Sequence, residues 1–145
     1  SYCGNANAPA ASKERSQGCD MTNLVFVYGT LKRGFANHRL LEKAHFLGEA
    51  YLPRTKMINL GAYPAVIAGG TKEVMGEMYQ VDDETLIRLD RLEGHPSFYE
   101  RRQVKVFSIM PAVDTFIAWC YFLPQLVQVK YPTIVKDGIW HGRRA

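Results

Sequence analysis

Two short segments of the sequence carry residues whose types and spacing suit chemistry. The first is Tyr28-Gly29-Thr30-Leu31, which directly follows the apolar run at residues 24–27. Glycine opens backbone conformations that are closed to other residues, and it lets a ligand approach the main chain because it has no Cβ. The amide groups around Gly29 could then converge on a carboxylate or an oxyanion. The alternative is a strand that ends in an ordinary turn, since such turns are common.

The second segment ends at Glu93, the last residue of a helix predicted over residues 82–93. Carbonyl groups at a helix C-terminus make a negative field, and burial adds a desolvation cost, so both raise the pKa of a carboxyl group toward neutrality. A general base needs a pKa in that range. The alternative is that Glu93 is simply an exposed residue of the last turn. Glu77, in a strand predicted over residues 74–81, is the rival carboxylate if Glu93 faces solvent.

Other kinds of active site find little support in the sequence. It contains no H-E-x-x-H, no C-x-x-C and no His and carboxylate cluster at metal-ligand spacing, so we predict no catalytic metal and no cofactor. The glycine turn is not a phosphate-binding loop, because Lys32 is not part of a G-K-[ST] sequence. Cys120 lies between Trp119 and Tyr121 in a predicted apolar strand, which is more typical of a buried structural cysteine than of a nucleophile.

Composition indicates one soluble domain. The 145 residues are 47% hydrophobic and 22% charged, and no stretch approaches the roughly 18 apolar residues of a membrane helix, so we predict no membrane partner. The net charge of +4 comes from Lys and Arg residues that are scattered along the chain. A solvated surface explains them better than nucleic acid does, and we predict no nucleic-acid partner.

Residues 1–20 differ from the rest of the chain, since Ala, Ser, Gly and Asn dominate and no apolar periodicity is present. We expect a disordered leader or tag-like extension there, followed by a single domain over residues 21–145. Two of the three cysteines, Cys3 and Cys19, lie in this leader. A disulfide framework is therefore not expected, and a reducing, cytoplasmic location is.

The elements that must position the two segments are mostly short strands. Apolar runs and turn signals predict strands at residues 24–27, 45–52, 56–60, 74–81, 98–109 and 115–123. Turns are expected at residues 69–70, where the run at residues 63–68 ends, and at residues 136–138. A short helix is expected at residues 37–44, with Asn37 as its cap. The helix at residues 82–93 has Asp82 or Asp83 as its cap, Gly94 beyond its end, and a buried stripe formed by Leu86, Ile87, Leu89 and Leu92. This pattern favours an α+β fold, a small and partly closed antiparallel β-barrel with helices around it.

Several motifs, taken in order, carry a resemblance to a known family. They are V-F-V-Y-G-T-L-K-R-G at residues 25–34, N-H at 37–38, Y-P-A-V at 63–66, G-E-M-Y at 76–79, L-D-R-L-E-G at 89–94 and Y-E-R at 99–101. Over residues 24–123 the sequence resembles the γ-glutamylcyclotransferase-like superfamily, and its γ-glutamylamine cyclotransferase and AIG2-like branch in particular. The resemblance implies a small mixed, mainly antiparallel β-barrel in which the Y-G-T-L turn and a catalytic glutamate share one cavity.

The resemblance also implies residue roles and a reaction. Glu93 matches the catalytic glutamate, and Tyr28, Gly29, Thr30 and Leu31 match the turn that lines the substrate cavity. In the family reaction the α-amine of a small γ-glutamyl substrate attacks its own side-chain carbonyl, which gives 5-oxoproline and a free amine. Tyr99 is expected either to close the substrate pocket or to serve as a core residue.

The continuation of the turn at residues 32–34 and 37–38 favours γ-glutamylamines, such as a γ-glutamyl-lysine isopeptide, over glutathione and γ-glutamyl dipeptides. Two alternatives to the enzyme stay open at this point. One is a non-catalytic protein of the same fold that binds a small molecule. The other is a basic β-barrel that binds nucleic acid, although basic and aromatic residues are not clustered in the sequence.

Overall fold

The computed structural model describes residues 23–124 and 133–142. The leader predicted at residues 1–20 lies outside the described residues. Within the described part of the chain, no helix is long and apolar enough to cross a membrane.

Five strands close into a barrel, which confirms the predicted α+β fold. They are β1 (Asn23–Val27), β2 (His45–Asn59), β4 (Lys72–Val81), β5 (Glu100–Ser108) and β6 (Thr115–Phe122). Their order around the barrel is β2-β4-β1-β6-β5, and pairing of β5 with β2 closes the circle. Among the strands of this circle, only the β1–β6 pair is parallel. The short strands β3 (Pro64–Ala68) and β7 (Thr133–Ile134) pair with the C-terminal part of β2, outside this circle.

The second strand differs from the prediction, which placed two strands at residues 45–52 and 56–60. A single strand of 15 residues runs through Pro53. The register with β4 shifts between Leu52 and Thr55, and Arg54 takes a positive φ of 59° there. A bulge of this kind tolerates a proline, which has no N–H to contribute to the ladder. Beyond it, β2 carries β3, which delivers Pro64 to the site described below.

Two clusters of buried side chains lie on opposite faces of the barrel wall. One draws on all five barrel strands and fills the interior, with Phe26, Met78 and Cys120 among its members. The other includes Val25 and Val27 from β1 together with helix residues, so it lies beneath the helix. Alternation along β1 produces this division, because successive side chains point to opposite faces of a strand. Cys120 is fully buried, in agreement with its predicted structural role.

The helix α1 (Asp83–Glu93) follows β4 and packs across the outer cluster. As predicted, Asp82 caps it by accepting a hydrogen bond from the Thr85 N–H at 2.7 Å, and Gly94 ends it with a φ of 70°. The predicted buried stripe is only half right. Leu86 and Leu89 are buried, whereas Ile87 and Leu92 are 51% and 41% exposed. Leu86, Leu89, Asp90 and Glu93 follow the i, i+3, i+4, i+7 spacing of one helix face, which meets the barrel, whereas Ile87 and Leu92 lie off this face.

The helix predicted at residues 37–44 is a single 3-10 turn, His38–Leu41. Asn37 precedes it, but its side chain makes no capping hydrogen bond to this turn. The Asn37 side-chain amide instead donates to the Thr30 hydroxyl at 2.9 Å. Asn37 therefore ties the segment back to the turn at the end of β1, a contact between distant atoms that the local sequence pattern does not reveal.

Candidate active site

The turn Tyr28–Leu31 leaves the end of β1 and packs against the first residue of β3. A Cβ built on Gly29 would lie 2.7 Å from Cγ of Pro64, well inside contact distance. Its φ lies outside the left-handed region, so the expectation of an unusual backbone conformation at this glycine is wrong. Glycine is needed at position 29 because the strand end and Pro64 approach too closely for any side chain.

The main chain of this turn presents unpaired donors. The carbonyl groups of Gly29 and Thr30 accept hydrogen bonds from the N–H groups of Lys32 and Asn37, at 3.0 and 2.9 Å. Among residues 23–124 and 133–142, the N–H groups of Gly29, Thr30 and Leu31 donate to no protein group. Consecutive free N–H groups form an anion-binding surface. The turn therefore offers three consecutive main-chain donors without a partner among the described residues.

A cavity of about 430 Å³ opens over this turn. Its lining includes all six residues that the sequence predicts for the site, namely Tyr28, Gly29, Thr30, Leu31, Glu93 and Tyr99. The rest of its lining comes from β1, the segment before the 3-10 turn, the start of β3 with the loop before it, the end of α1 with the loop after it, and β6. These residues are Phe26, Val27, Ala36, Asn37, Ala62, Tyr63, Pro64, Leu92, Phe98 and Tyr121. Elements that are far apart in the sequence therefore line one largely apolar cavity.

Glu93 lies at the C-terminal end of α1, where the chain turns at Gly94. Burial raises the pKa of its carboxyl group to about 7, because a charged carboxylate is poorly solvated there. No hydrogen bond or ion pair to the Glu93 side chain is found within the described residues. The carboxyl group is thus poised to exchange a proton near neutral pH and is free to contact a ligand.

The two tyrosines predicted for the site form its walls, and their hydroxyl groups are already engaged. Tyr99 donates a hydrogen bond to the Pro64 carbonyl at 2.7 Å. Tyr28 donates to the Tyr121 carbonyl at 2.6 Å. Burial raises the pKa of both phenols well above the usual range, so they stay neutral. Tyr99 is consequently both a core residue and a wall of the cavity, which unites the two alternatives left open for it.

The rival carboxylate Glu77 lies outside the cavity lining. It accepts hydrogen bonds from the Arg33 N–H and the Tyr79 hydroxyl, both at 2.9 Å. These contacts fasten the loop that follows the turn to strand β4. Because its side chain is occupied in this way, Glu77 is a structural anchor for the site loop.

One polar network beside the cavity was not predicted from the sequence. Asp90 accepts a hydrogen bond from the Tyr121 hydroxyl at 2.6 Å and pairs with the Arg101 guanidinium at 2.8 Å. The guanidinium also lies 4.2 Å from the Trp119 ring centre. The position of Asp90 in the sequence could have indicated that it lies beside the site, because it precedes Glu93 by three residues and so lies near it on the helix surface.

The sequence matches a protein-family model over most of its length. The model described as "Gamma-glutamyl cyclotransferase, AIG2-like" matches residues 25–142. The chain belongs to this family. Its sequence is 42% identical over 136 residues to the gamma-glutamylaminecyclotransferase of Bos taurus, covering 83% of this chain and 79% of the relative. It is 34% identical over 120 residues to a gamma-glutamylcyclotransferase family protein of Escherichia coli, covering 82% and 96%.

The structure of this cyclotransferase family member resembles solved structures of the same family. A crystal structure of an AIG2-like protein from Mus musculus superposes with a TM-score of 0.62 at 31% identity, covering 69% of this chain and 76% of the mouse chain. The family match continues beyond residue 123, where the motif resemblance ends. In this C-terminal part, the carbonyl of the buried Trp140 accepts a hydrogen bond from Lys32 Nζ at 3.0 Å.

The remaining polar side chains give little scope for a metal. Within residues 23–124 and 133–142, no group of three or more His, Cys, Asp or Glu residues could hold a metal ion.

Proposed function

We propose that this family member cleaves a γ-glutamyl amide without water, releasing 5-oxoproline and a free amine. The observation that carries the proposal is that Glu93, with its pKa raised to about 7, lines one cavity with residues 29–31, whose N–H groups have no partner among the described residues. The Glu93 carboxyl group can move a proton near neutral pH, and the N–H groups can stabilise negative charge. Cyclisation needs little more, because the substrate supplies its own nucleophile.

In the proposed reaction, the α-amino nitrogen of the substrate attacks its own γ-carbonyl carbon. A five-membered ring forms as the bond to the leaving nitrogen breaks, and proximity within one molecule gives this closure a high effective molarity. Glu93 takes a proton from the α-ammonium group and returns it to the leaving nitrogen. The free N–H groups of Gly29, Thr30 and Leu31 hold the substrate carboxylate or the developing oxyanion.

The charges around the cavity support a γ-glutamylamine as the substrate rather than a γ-glutamyl amino acid. Glu93 is the only Asp, Glu, Lys or Arg in the described lining. An amino-acid leaving group would place its carboxylate beside the cleaved bond, near Glu93 and without a cation to pair with. An amine without that carboxylate avoids the repulsion. The name of the Bos taurus relative, gamma-glutamylaminecyclotransferase, agrees with this choice.

The test is an assay for 5-oxoproline with a panel of γ-glutamyl compounds, including γ-glutamyl alkylamides, ε-(γ-glutamyl)-lysine and γ-glutamyl dipeptides. We expect turnover of the amides and a loss of at least about 100-fold in kcat for Glu93→Gln, since general acid-base catalysis typically contributes that much. Glu42→Gln, at an exposed carboxylate outside the cavity, is the matched control. Wild-type turnover by Glu93→Gln would refute the assigned mechanism, and tight binding without turnover would favour the non-catalytic binding protein.

The same assay has a pH dependence that follows from Glu93. A base must be deprotonated to accept the substrate's proton, so kcat/KM should fall about tenfold per pH unit below about 7. Measurement of kcat/KM between pH 5 and 9 checks this limb. A profile that stays flat down to pH 5 would show that no group with the pKa of Glu93 takes part.

A further inference from the structure

The cavity lining changes from a closed floor to an open, aromatic mouth. Floor residues such as Val27, Leu31 and Tyr121 are buried. At the mouth, Tyr63 and Phe98 are 40% and 39% exposed. Leu92, whose exposure overturned the predicted helix stripe, also lines the cavity and is 41% exposed. A large apolar residue at such a position leaves its surface in water unless a ligand covers it.

The aromatic residues of the mouth are held in a fixed arrangement. The rings of Tyr63 and Phe98 meet edge to face at 6.2 Å and 89°. Phe98 also packs against Tyr99 at 4.8 Å, and the Tyr99 hydroxyl is fixed on the Pro64 carbonyl. Main-chain hydrogen bonds hold both segments, from the Phe98 N–H to the Gly94 carbonyl at 2.8 Å and from the Leu60 N–H to the Tyr63 carbonyl at 2.9 Å. The apolar surface is therefore organised before any ligand arrives.

The orientation of a γ-glutamyl substrate follows from the polar groups. Its carboxylate, amine and reacting carbonyl need the free N–H groups of residues 29–31 and the carboxyl group of Glu93. The part of the substrate beyond the cleaved bond then extends toward the opening, past Tyr63, Leu92 and Phe98. Nothing in that part of the described lining is charged. The surface that meets the leaving amine is consequently apolar and largely aromatic.

We propose that Tyr63, Leu92 and Phe98 form a subsite for the leaving amine and select γ-glutamyl amides of apolar, especially aromatic, amines. This inference rests on the proposed function and specifies its substrate class. Covering exposed aromatic rings with an apolar group is favourable, and binding energy from this remote part of the substrate helps to hold the reacting atoms in place. The bond that breaks is still that between the γ-carbonyl and the leaving nitrogen.

The test uses three substrates that differ only in the leaving amine, namely the γ-glutamyl amides of methylamine, n-butylamine and phenethylamine. We expect kcat/KM to rise along this series, with about a tenfold gain from methyl to phenethyl. Phe98→Ala and Tyr63→Ala should each remove about fivefold for the phenethylamide and less than twofold for the methylamide. Phe46→Ala is the matched control, because Phe46 is also 40% exposed and lies outside the cavity lining.

Binding measurements separate failure of the subsite from failure of the proposed function. Calorimetry with Glu93→Gln should show tighter binding of the phenethylamide than of the methylamide, and adding Phe98→Ala should abolish the difference. If wild-type protein forms 5-oxoproline from all three amides at equal kcat/KM, the subsite is refuted and the function stands. If no amide is turned over but the binding preference depends on Phe98, the subsite stands and the function fails. Equal affinities for all three amides refute the subsite whether or not turnover occurs.

Discussion

At the scale of single residues, Glu93 occupies a position that disfavours its charge. The carbonyl groups of Asp90, Arg91 and Glu93 at the end of α1 accept main-chain hydrogen bonds. Burial removes water from the Glu93 carboxyl group and so raises its pKa. Within the described residues, no cation or hydrogen-bond donor compensates it. A residue placed for stability would be neutral or basic there. The same unfavourable burial brings the pKa of Glu93 near neutrality, and proton transfer requires a pKa in that range.

Replacement of Glu93 should therefore stabilise the protein at high pH. The folded state holds the Glu93 proton more tightly than the unfolded state, since its pKa is about 7 in place of 4.5. Stability is thus lost as pH rises from about 4.5 to 7, by about 3 kcal/mol in total. Glu93→Gln removes this loss, so urea unfolding should show it more stable than wild type at pH 8 and equal near pH 4. A difference that is the same at both pH values would contradict the burial of the charge.

Gly29 illustrates a second residue-scale constraint, set by contact with Pro64. Gly29→Ala places a methyl group 2.7 Å from Cγ of Pro64, so the end of β1 must shift. We expect a loss of about 2 kcal/mol in the free energy of unfolding, as for other overpacked sites. Pro64→Ala combined with Gly29→Ala should recover most of it in a double-mutant cycle. Additive effects of the two substitutions would show that the two residues do not compete for space.

At the scale of elements, the site depends on how α1 is fixed to the barrel. Leu86 and Leu89 provide the apolar contact, and Asp90 joins the helix to β5 and β6 through Arg101 and Tyr121. This link lies one turn before Glu93. Asp90 is therefore a positioning residue, which sets where the helix end and its carboxyl group lie.

Asp90→Ala should destabilise the fold by about 2 kcal/mol, because the Tyr121 hydroxyl and the Arg101 guanidinium lose a half-buried acceptor. Chemical unfolding at pH 7 measures this loss. The control is Glu84→Ala, which breaks the exposed pair with Arg88 and should cost less than about 0.5 kcal/mol. Equal effects of the two substitutions would mean that the Asp90 network adds nothing beyond a surface ion pair.

At the scale of the whole molecule, the C-terminal segment at residues 133–142 packs against the closed barrel. Its N–H and carbonyl groups bond to β2 and β4, from Val135 to Met57 at 2.8 Å and from Met75 to Gly138 at 2.9 Å. Trp140 packs into the interior cluster, and its carbonyl accepts a hydrogen bond from the buried ammonium group of Lys32. Since Lys32 directly follows the turn at residues 28–31, its hydrogen bond to Trp140 ties the site loop to the C-terminal segment.

Trp140→Ala should be the most damaging of these substitutions for stability. A side chain that is 2% exposed leaves a large cavity when it is removed, and the expected loss is about 3 to 5 kcal/mol. Thermal and urea unfolding measure it. His141→Ala, at the exposed neighbour, should change stability by less than about 0.5 kcal/mol. A small effect of Trp140→Ala would show that the C-terminal segment is not part of the cooperative fold.

Much of the architecture was predictable because it depends on local patterns. Alternation and glycine turns located the strands, and Asp82 and Gly94 located both ends of α1. The errors came where contacts between distant residues overrode local signals. Pro53 should end a strand but is accommodated by the bulge in β2, and Leu92 fits the helix stripe but opens onto the cavity. The leader and the cytoplasmic location stay predictions.

The sequence by itself determined the two halves of the site, a glycine turn after β1 and a glutamate at the end of a helix. Both could be recognised from the sequence because each depends on residues that are close together in the chain. Only the tertiary structure decided that Glu93 and the turn share one cavity, that Pro64 requires glycine at position 29, and that Tyr63 and Phe98 meet at the mouth. The reason is physical, since closure of the barrel sets the distances between these segments and excludes the water that would otherwise lower the pKa of Glu93.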